Sequence, residues 1–262
     1  MKRPAARTLV GPALLLLLSV AGAADHAPSQ QPRSDYTFLG AELRALQDDE
    51  FANPGMLWVD RGRALWSEAT GAAAQSCQSC HGQASASMRS VAPRYPAWSQ
   101  SLGRVINLEQ QINHCRVERL KAAAWDYESE ELLALTAFIS HQAKGLPTQV
   151  RIDGHAAQSF ERGRAFFYQR RGQLNLSCAN CHEQHVGSRL HGEIINQGQI
   201  NGFPIYRELW QTMGSTHRMF AWCNDAVRAE PYSAGSQTYV DLELFERWRG
   251  AGLPIETPAV RR

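Results

Sequence analysis

Apolar residues along this chain gather in short stripes at helical spacing. Within 130–142 (EELLALTAFISHQ), Leu132, Leu135, Phe138 and Ile139 recur on one face, which predicts an amphipathic helix. Residues 240–249 repeat the pattern over a shorter length. Residues 60–73 and 161–171 predict two more helices. Gly145 and Gly250 or Gly252 suit helix C-terminal turns, with Pro147 and Pro254 just beyond them. The stretch 183–201 (EQHVGSRLHGEIINQGQIN) is polar and Gly-rich and reads as a loop. Alternating strand patterns are sparse.

One apolar run is of another kind. Leu9 to Val20 is continuous, is preceded by Lys2, Arg3 and Arg7, and is followed by Ala21-Gly22-Ala23. That order of charge, apolar run and small residues predicts a secretory signal over residues 1–23, cleaved near Ala23. With Pro12 inside it, the run falls short of the roughly 20 residues a membrane span needs. No later stretch is apolar enough to span, so a soluble protein exported to the periplasm is expected. Residues 24–35 (ADHAPSQQPRSD) read as a mobile arm.

The pattern occurs twice. Arg61-Gly62-Arg63-Ala64-Leu65-Trp66 matches Arg162-Gly163-Arg164-Ala165-Phe166-Phe167 at an offset of 101 residues. Fifteen residues after each glycine a C-x-x-C-H begins: Cys77-Gln78-Ser79-Cys80-His81, then Cys178-Ala179-Asn180-Cys181-His182. The second half then carries about seven extra residues before register returns. Pro96 lies 19 residues before Cys115, and Pro204 lies 19 before Cys223. Gly145-Leu146-Pro147 echoes Gly252-Leu253-Pro254. The chain therefore reads as a duplicated module of about 100 residues with its boundary near 148–150.

Composition narrows the class. The 262 residues are 44% hydrophobic and 20% charged, with 20 Gly and 12 Pro, which excludes disorder, collagen and coiled coil. The formal charge of +2 becomes −1 once the three basic residues of the leader are set aside, leaving 24 basic against 25 acidic. Charge gives no reason to expect nucleic acid or an anionic membrane as partner.

The C-x-x-C-H motifs carry the chemistry. Two cysteines so spaced can bond the two vinyl groups of a haem, and the adjacent histidine reaches the iron. A redox disulfide pair needs no trailing histidine. A zinc site built of two C-x-x-C pairs keeps both within one small module, whereas these lie about 100 residues apart. The expectation is two covalently bound haem c groups, held by Cys77 and Cys80 with His81 as axial ligand, and by Cys178 and Cys181 with His182. Each porphyrin also supplies apolar mass to a module too small for a large core. The fold class expected is mainly α: two tandem cytochrome c-like haem domains related by internal duplication. Their bounds are residues 46–149 and 150–262, after a signal at 1–23 and an arm at 24–45.

Two cysteines remain, Cys115 and Cys223. Export makes a disulfide between them plausible. Their matched places in the repeat, where a c-type module offers its distal ligand, favour thiolate ligation of each cysteine to its own haem. Met88, Met213 and Met219 do not recur in register, and neither do His114 and His217. Trp66, Trp98, Trp125, Trp210, Trp222 and Trp248 read as haem-pocket packing.

With these residues in view, the chain resembles the SoxA family, the cytochrome subunits of SoxAX complexes of bacterial thiosulfate oxidation. The resemblance spans roughly residues 35–258 and rests on both C-x-x-C-H motifs, Gln111-Ile112-Asn113-His114-Cys115-Arg116, and His217-Arg218-Met219-Phe220-Ala221-Trp222-Cys223 with Arg228-Ala229-Glu230-Pro231-Tyr232. The intact first motif resembles the dihaem form. The resemblance implies a heterodimer with a SoxX-like monohaem cytochrome. It further implies oxidative joining of thiosulfate to a cysteine of a SoxYZ-like sulfur carrier, with electrons leaving to a cytochrome c acceptor, the activity of an L-cysteine S-thiosulfotransferase. It also implies His81 and Cys115 as ligands of the first iron, and His182 and Cys223 as ligands of the second. Cys223 becomes the catalytic, persulfide-bearing cysteine. Thiosulfate is a dianion, and Arg218 is the substrate-binding candidate, with Arg228 and Arg247 behind it. A dihaem electron carrier without sulfur chemistry and a dihaem peroxidase are the alternatives.

Overall fold

A computed structural model describes Met1, residues 30–190 and residues 192–262. Apart from Met1, the leader read at residues 1–23 lies outside the described residues. The first half runs α1 (Ala41–Asp48), α2 (Met56–Ser67), α3 (Cys77–His81), α4 (Ala84–Ser87), β1 (Ala97–Ser99), β2 (Arg104–Ile106), α5 (Leu108–Glu118) and α6 (Glu130–His141). The second runs α7 (Ala157–Tyr168), α8 (Cys178–His182), β3 (Arg189–Leu190), β4 (Glu193–Ile194), β5 (Ile205–Arg207), β6 (Thr212–Gly214), α9 (Thr216–Ala226), α10 (Gln237–Arg249) and β7 (Ala259–Arg261). Among the described elements the order helix, C-x-x-C-H helix, hairpin, helix, helix occurs in both halves, and the architecture is mainly helical.

Local sequence explains the helix starts. Ser129 accepts from Leu132 N at the head of α6, and Ser236 accepts from Tyr239 N at the head of α10. Asn107 and Ser215 cap α5 and α9 in the same way, each accepting from backbone N–H groups that no carbonyl inside the helix can reach. The repeated glycine has a packing role. In α2 a Cβ on Gly62 would overlap the Ala134 carbonyl of α6, and in α7 a Cβ on Gly163 would overlap the Asp241 carbonyl of α10. Each half is built on one such close crossing.

The halves are interlocked by their hairpins. Strand β1 pairs antiparallel with β2 (Trp98 opposite Val105), and β5 pairs with β6 (Tyr206 opposite Met213). Val105 is buried among Phe160, Phe167, Leu242 and Phe245 of the second half. Met213 is buried among Leu132, Leu135 and Phe138 of the first. The two Gly-Leu-Pro turns pair with one another, Gly145 N donating to Ile255 O at 2.9 Å and Thr148 N to Leu253 O at 2.8 Å.

Two expectations need correction. The arm is docked where it is described: Arg33 N donates to Gln197 Oε1 at 2.7 Å, Ser34 Oγ to Glu256 Oε1 at 2.5 Å, and Asp35 is buried. The arm runs on into α1, which packs on β7, with Gln47 Oε1 accepting from Val260 N at 3.2 Å. Its polar residues settle because side chains of the second half receive them. The 183–201 stretch also contains the short β3–β4 hairpin, Arg189 opposite Ile194. No helix among the described residues is long and apolar enough to cross a membrane.

Candidate functional site

In the first half, a short turn closed by a Thr70–Gln75 bridge delivers the chain from α2 into α3. Ser76 and Ser79 lock the start of α3, each side chain accepting from the other's backbone N–H at 3.0 and 3.1 Å. Cys77 lies half-buried against the core formed by Trp66, Met88, Ile112, Leu132 and Phe138. Cys80 and His81 are exposed, and the His81 ring sits 5.8 Å from Trp66. Cys115 on α5 accepts from Gln111 Nε2 at 3.2 Å. Burial pushes the Cys77 thiol up, and the nearby Cys115 sulfur adds to the shift.

The second half repeats the arrangement. An Arg171–Leu176 bridge closes the turn, and Asn180 Oδ1 accepts from Ser177 N at 2.9 Å. Cys178 and Cys181 are half-buried, and burial raises both thiols; Glu246 and then Cys223 raise Cys178 further. Cys223 on α9 is pushed up to about 11 by burial, against the pull of the Arg207 guanidinium. Among the described residues all six cysteines are free. Cys115 lies with the first motif and Cys223 with the second, so the structure does not contain the disulfide that export allowed.

The residues present fit haem c. His182 Nδ1 lies 3.0 Å from the Asn196 carbonyl oxygen, which only accepts. The Nδ1 proton is therefore fixed and Nε2 is left as the ligand atom. Burial lowers the pKa of His182, which favours the neutral ring that binds iron. Gly198 packs so closely on this imidazole that a Cβ there would come within 2.9 Å of its Cγ. The extra segment of the second half thus braces the histidine.

The remaining candidates take a variety of places. Met88 and Met213 are buried core residues, and Met219 packs against a third cluster with Ile205 and Phe203. His114 Nε2 contacts Ser101 Oγ at 3.2 Å. His217 is buried: Gly235 N donates to its Nδ1 at 2.9 Å, and its Nε2 stands 3.1 Å from Glu243 Oε2. Arg247 is buried beside Glu243 and Glu109, and Arg228 is exposed. Neither is brought to Cys223. Arg218 is half-buried with its guanidinium 4.4 Å from the Trp210 ring centre, and it donates to Met213 O at 3.4 Å. Trp222 is 46% exposed and meets Trp210 edge to face at 6.2 Å.

Sequence reading missed Arg207. It is buried at the end of β5, stacks 4.6 Å over Trp222, and acts on the Cys223 sulfur. The available signal was a break in the repeat, because the residue 108 positions earlier is Ser99.

Known proteins match on the same features. Residues 61–148 match the SoxA/TsdA cytochrome c domain. The SoxA subunit of L-cysteine S-thiosulfotransferase from Pseudaminobacter salicylatoxidans is 41% identical over 94% of this chain and 86% of its own length. The same subunit from Rhodovulum sulfidophilum is 40% identical over 87% of this chain and 80% of its own. The crystal structure of SoxXA from P. pantotrophus superposes with a TM-score of 0.84 at 38% identity, covering 87% of this chain and 86% of that one. Agreement of this kind, over most of the chain and most of each relative, reaches far beyond a shared motif, and the chain belongs to the SoxA family of haem c proteins.

Proposed function

We propose that this protein is the dihaem cytochrome subunit of an L-cysteine S-thiosulfotransferase, acting in the periplasm after removal of its leader near Ala23. The observation that carries the reading is Cys223: a free, half-buried thiol set beside Cys178 and Cys181 of the second motif and flanked by the exposed Trp222.

Residues 46–149 and 150–262 form the two haem modules of this reading. Cys77, Cys80, His81 and Cys115 hold the first haem, and Cys178, Cys181, His182 and Cys223 hold the second. Haem held there would supply one-electron oxidation, and a cytochrome c acceptor would take up the electrons. Cys223 supplies the bond-making sulfur. Its thiolate and the terminal sulfur of thiosulfate join with loss of two electrons, giving a Cys223 S-thiosulfonate. A thiolate of a SoxYZ-like carrier then attacks the outer sulfur of that adduct, and the Cys223 thiolate leaves. Arg218 contributes positive charge at the rim, where a dianion must be received. A SoxX-like monohaem cytochrome completes the heterodimer.

The test is Cys223→Ala. The variant is expected to keep two covalent haems by intact mass while losing thiosulfate-dependent cytochrome reduction with carrier present. The mass of the unaltered holoprotein carries one added sulfur atom where Cys223 is a persulfide. Full turnover in Cys223→Ala leaves the plain electron carrier as the correct reading.

A further inference from the structure

Arg207 is only 7% exposed, yet its guanidinium is incompletely used. Nε donates to the main-chain oxygen of Arg262 at 2.7 Å. Nη2 stands 3.9 Å from Glu193 Oε1, beyond hydrogen-bond reach. Nη1 is buried with no hydrogen-bond partner among the described residues. A buried charged donor is costly to leave unmade, so an unpaired one asks for an acceptor.

The surroundings say which acceptor. The guanidinium carbon lies 4.6 Å from the Trp222 ring centre and 5.2 Å from that of Trp210. Trp222 adjoins Cys223 in α9, and Arg207 is the cation that acts on the Cys223 sulfur. The aromatic faces keep water from the cation and strengthen its pull on an anion. The first half has no equivalent: Ser99 occupies the place of Arg207, and His114 that of Trp222. The cation is thus confined to the half whose cysteine handles sulfur. The ligand must be a small anion with several oxygens, able to meet planar donors more than one at a time.

We propose that Arg207 anchors the sulfonate end of thiosulfate through its free Nη1, so that the terminal sulfur is presented to Cys223. This rests on the reading of Cys223 as the sulfur-bearing residue. Arg218, seated over Trp210, is the outer of two roles: it attracts the dianion, and Arg207 orients it.

The experiment is calorimetric titration of thiosulfate into oxidised holoprotein without carrier, alongside haem content and the potentials of both haems. Arg207→Gln is expected to weaken binding about tenfold or more and to raise KM with carrier present, with haem content and potentials unchanged. Arg218→Gln is expected to weaken binding less. Should Arg207→Gln not fold, Arg207→Lys decides, because it keeps the charge and loses the fork: binding at least threefold weaker supports the anchor, and undiminished affinity overturns it. Undiminished affinity in Arg207→Gln, with haem loss or a shifted second-haem potential, shows that Nη1 serves a haem propionate and also overturns it. Activity in Cys223→Ala with the Arg207 effect on affinity intact would remove only the Cys223 reading.

Discussion

Val105 and Met213 stand 108 residues apart at matching places in the two hairpins, and each is fully buried in the core of the opposite half. The exchange ties the halves together: neither core is complete without a side chain from the other. Met213→Ala should therefore cost about 2–5 kcal/mol through the cavity it leaves among Leu132, Leu135 and Phe138. Thermal unfolding of the variant should remain one transition at lower temperature. Two separated transitions, one for each haem environment, would show that the halves fold independently.

The close helix crossings make a second prediction. Gly163 packs against the α10 backbone, and a Cβ there would overlap the Asp241 carbonyl. Gly163→Ala should destabilise by about 1–3 kcal/mol through overpacking, although alanine favours a helix at an exposed position. Gly62→Ala should do the same at Ala134. Chemical denaturation of the holoprotein checks both, and a stabilised variant would mean that the helices can slide apart.

His182 provides a third. Its ring is held between the Asn196 carbonyl and Gly198, whose φ is +69°. Gly198→Ala is strained in that conformation and drives a methyl into the imidazole. The expected outcome is a shifted potential and altered low-spin spectrum of one haem, with the other unchanged. A redox titration reads both. If both haems move together, the brace is global packing rather than support of one ligand.

Much of this was legible because the repeat is written in residues whose roles are backbone-deep. The paired glycines each meet a carbonyl of the helix they cross, a bridge closes the turn before each C-x-x-C-H, and the two Gly-Leu-Pro turns pair with one another. The ends of α6 fell within one residue of the periodic stripe, since Ser129 caps it locally. What sequence did not disclose was long-range. Val105 and Met213 look like ordinary strand residues, and nothing local says that they cross to the other half. The arm read as mobile because its polar partners, Gln197 and Glu256, lie more than 160 residues away. Arg207 escaped because the search looked for what the halves share, whereas this cation is where they differ.

The docked arm makes the last prediction, on pH. Burial holds the Asp35 carboxyl up at about 7 from its usual 3.8; Arg261 opposes the shift and Glu256 adds to it. Asp35 Oδ1 is buried without a hydrogen-bond partner. The folded chain therefore keeps a proton that the unfolded chain releases, so this group's contribution to stability is fully present below pH 4. It falls away as pH rises towards 7 and is flat above, a swing of up to about 4 kcal/mol. Asp35→Asn removes the titration while keeping the size and one acceptor. The variant should melt close to the parent at pH 4 and above it at pH 8, which thermal unfolding of the holoprotein at the two pH values measures. An equal shift at both would mean that Asp35 stays ionised in the folded protein, paired with Arg261 across the contact between the arm and β7.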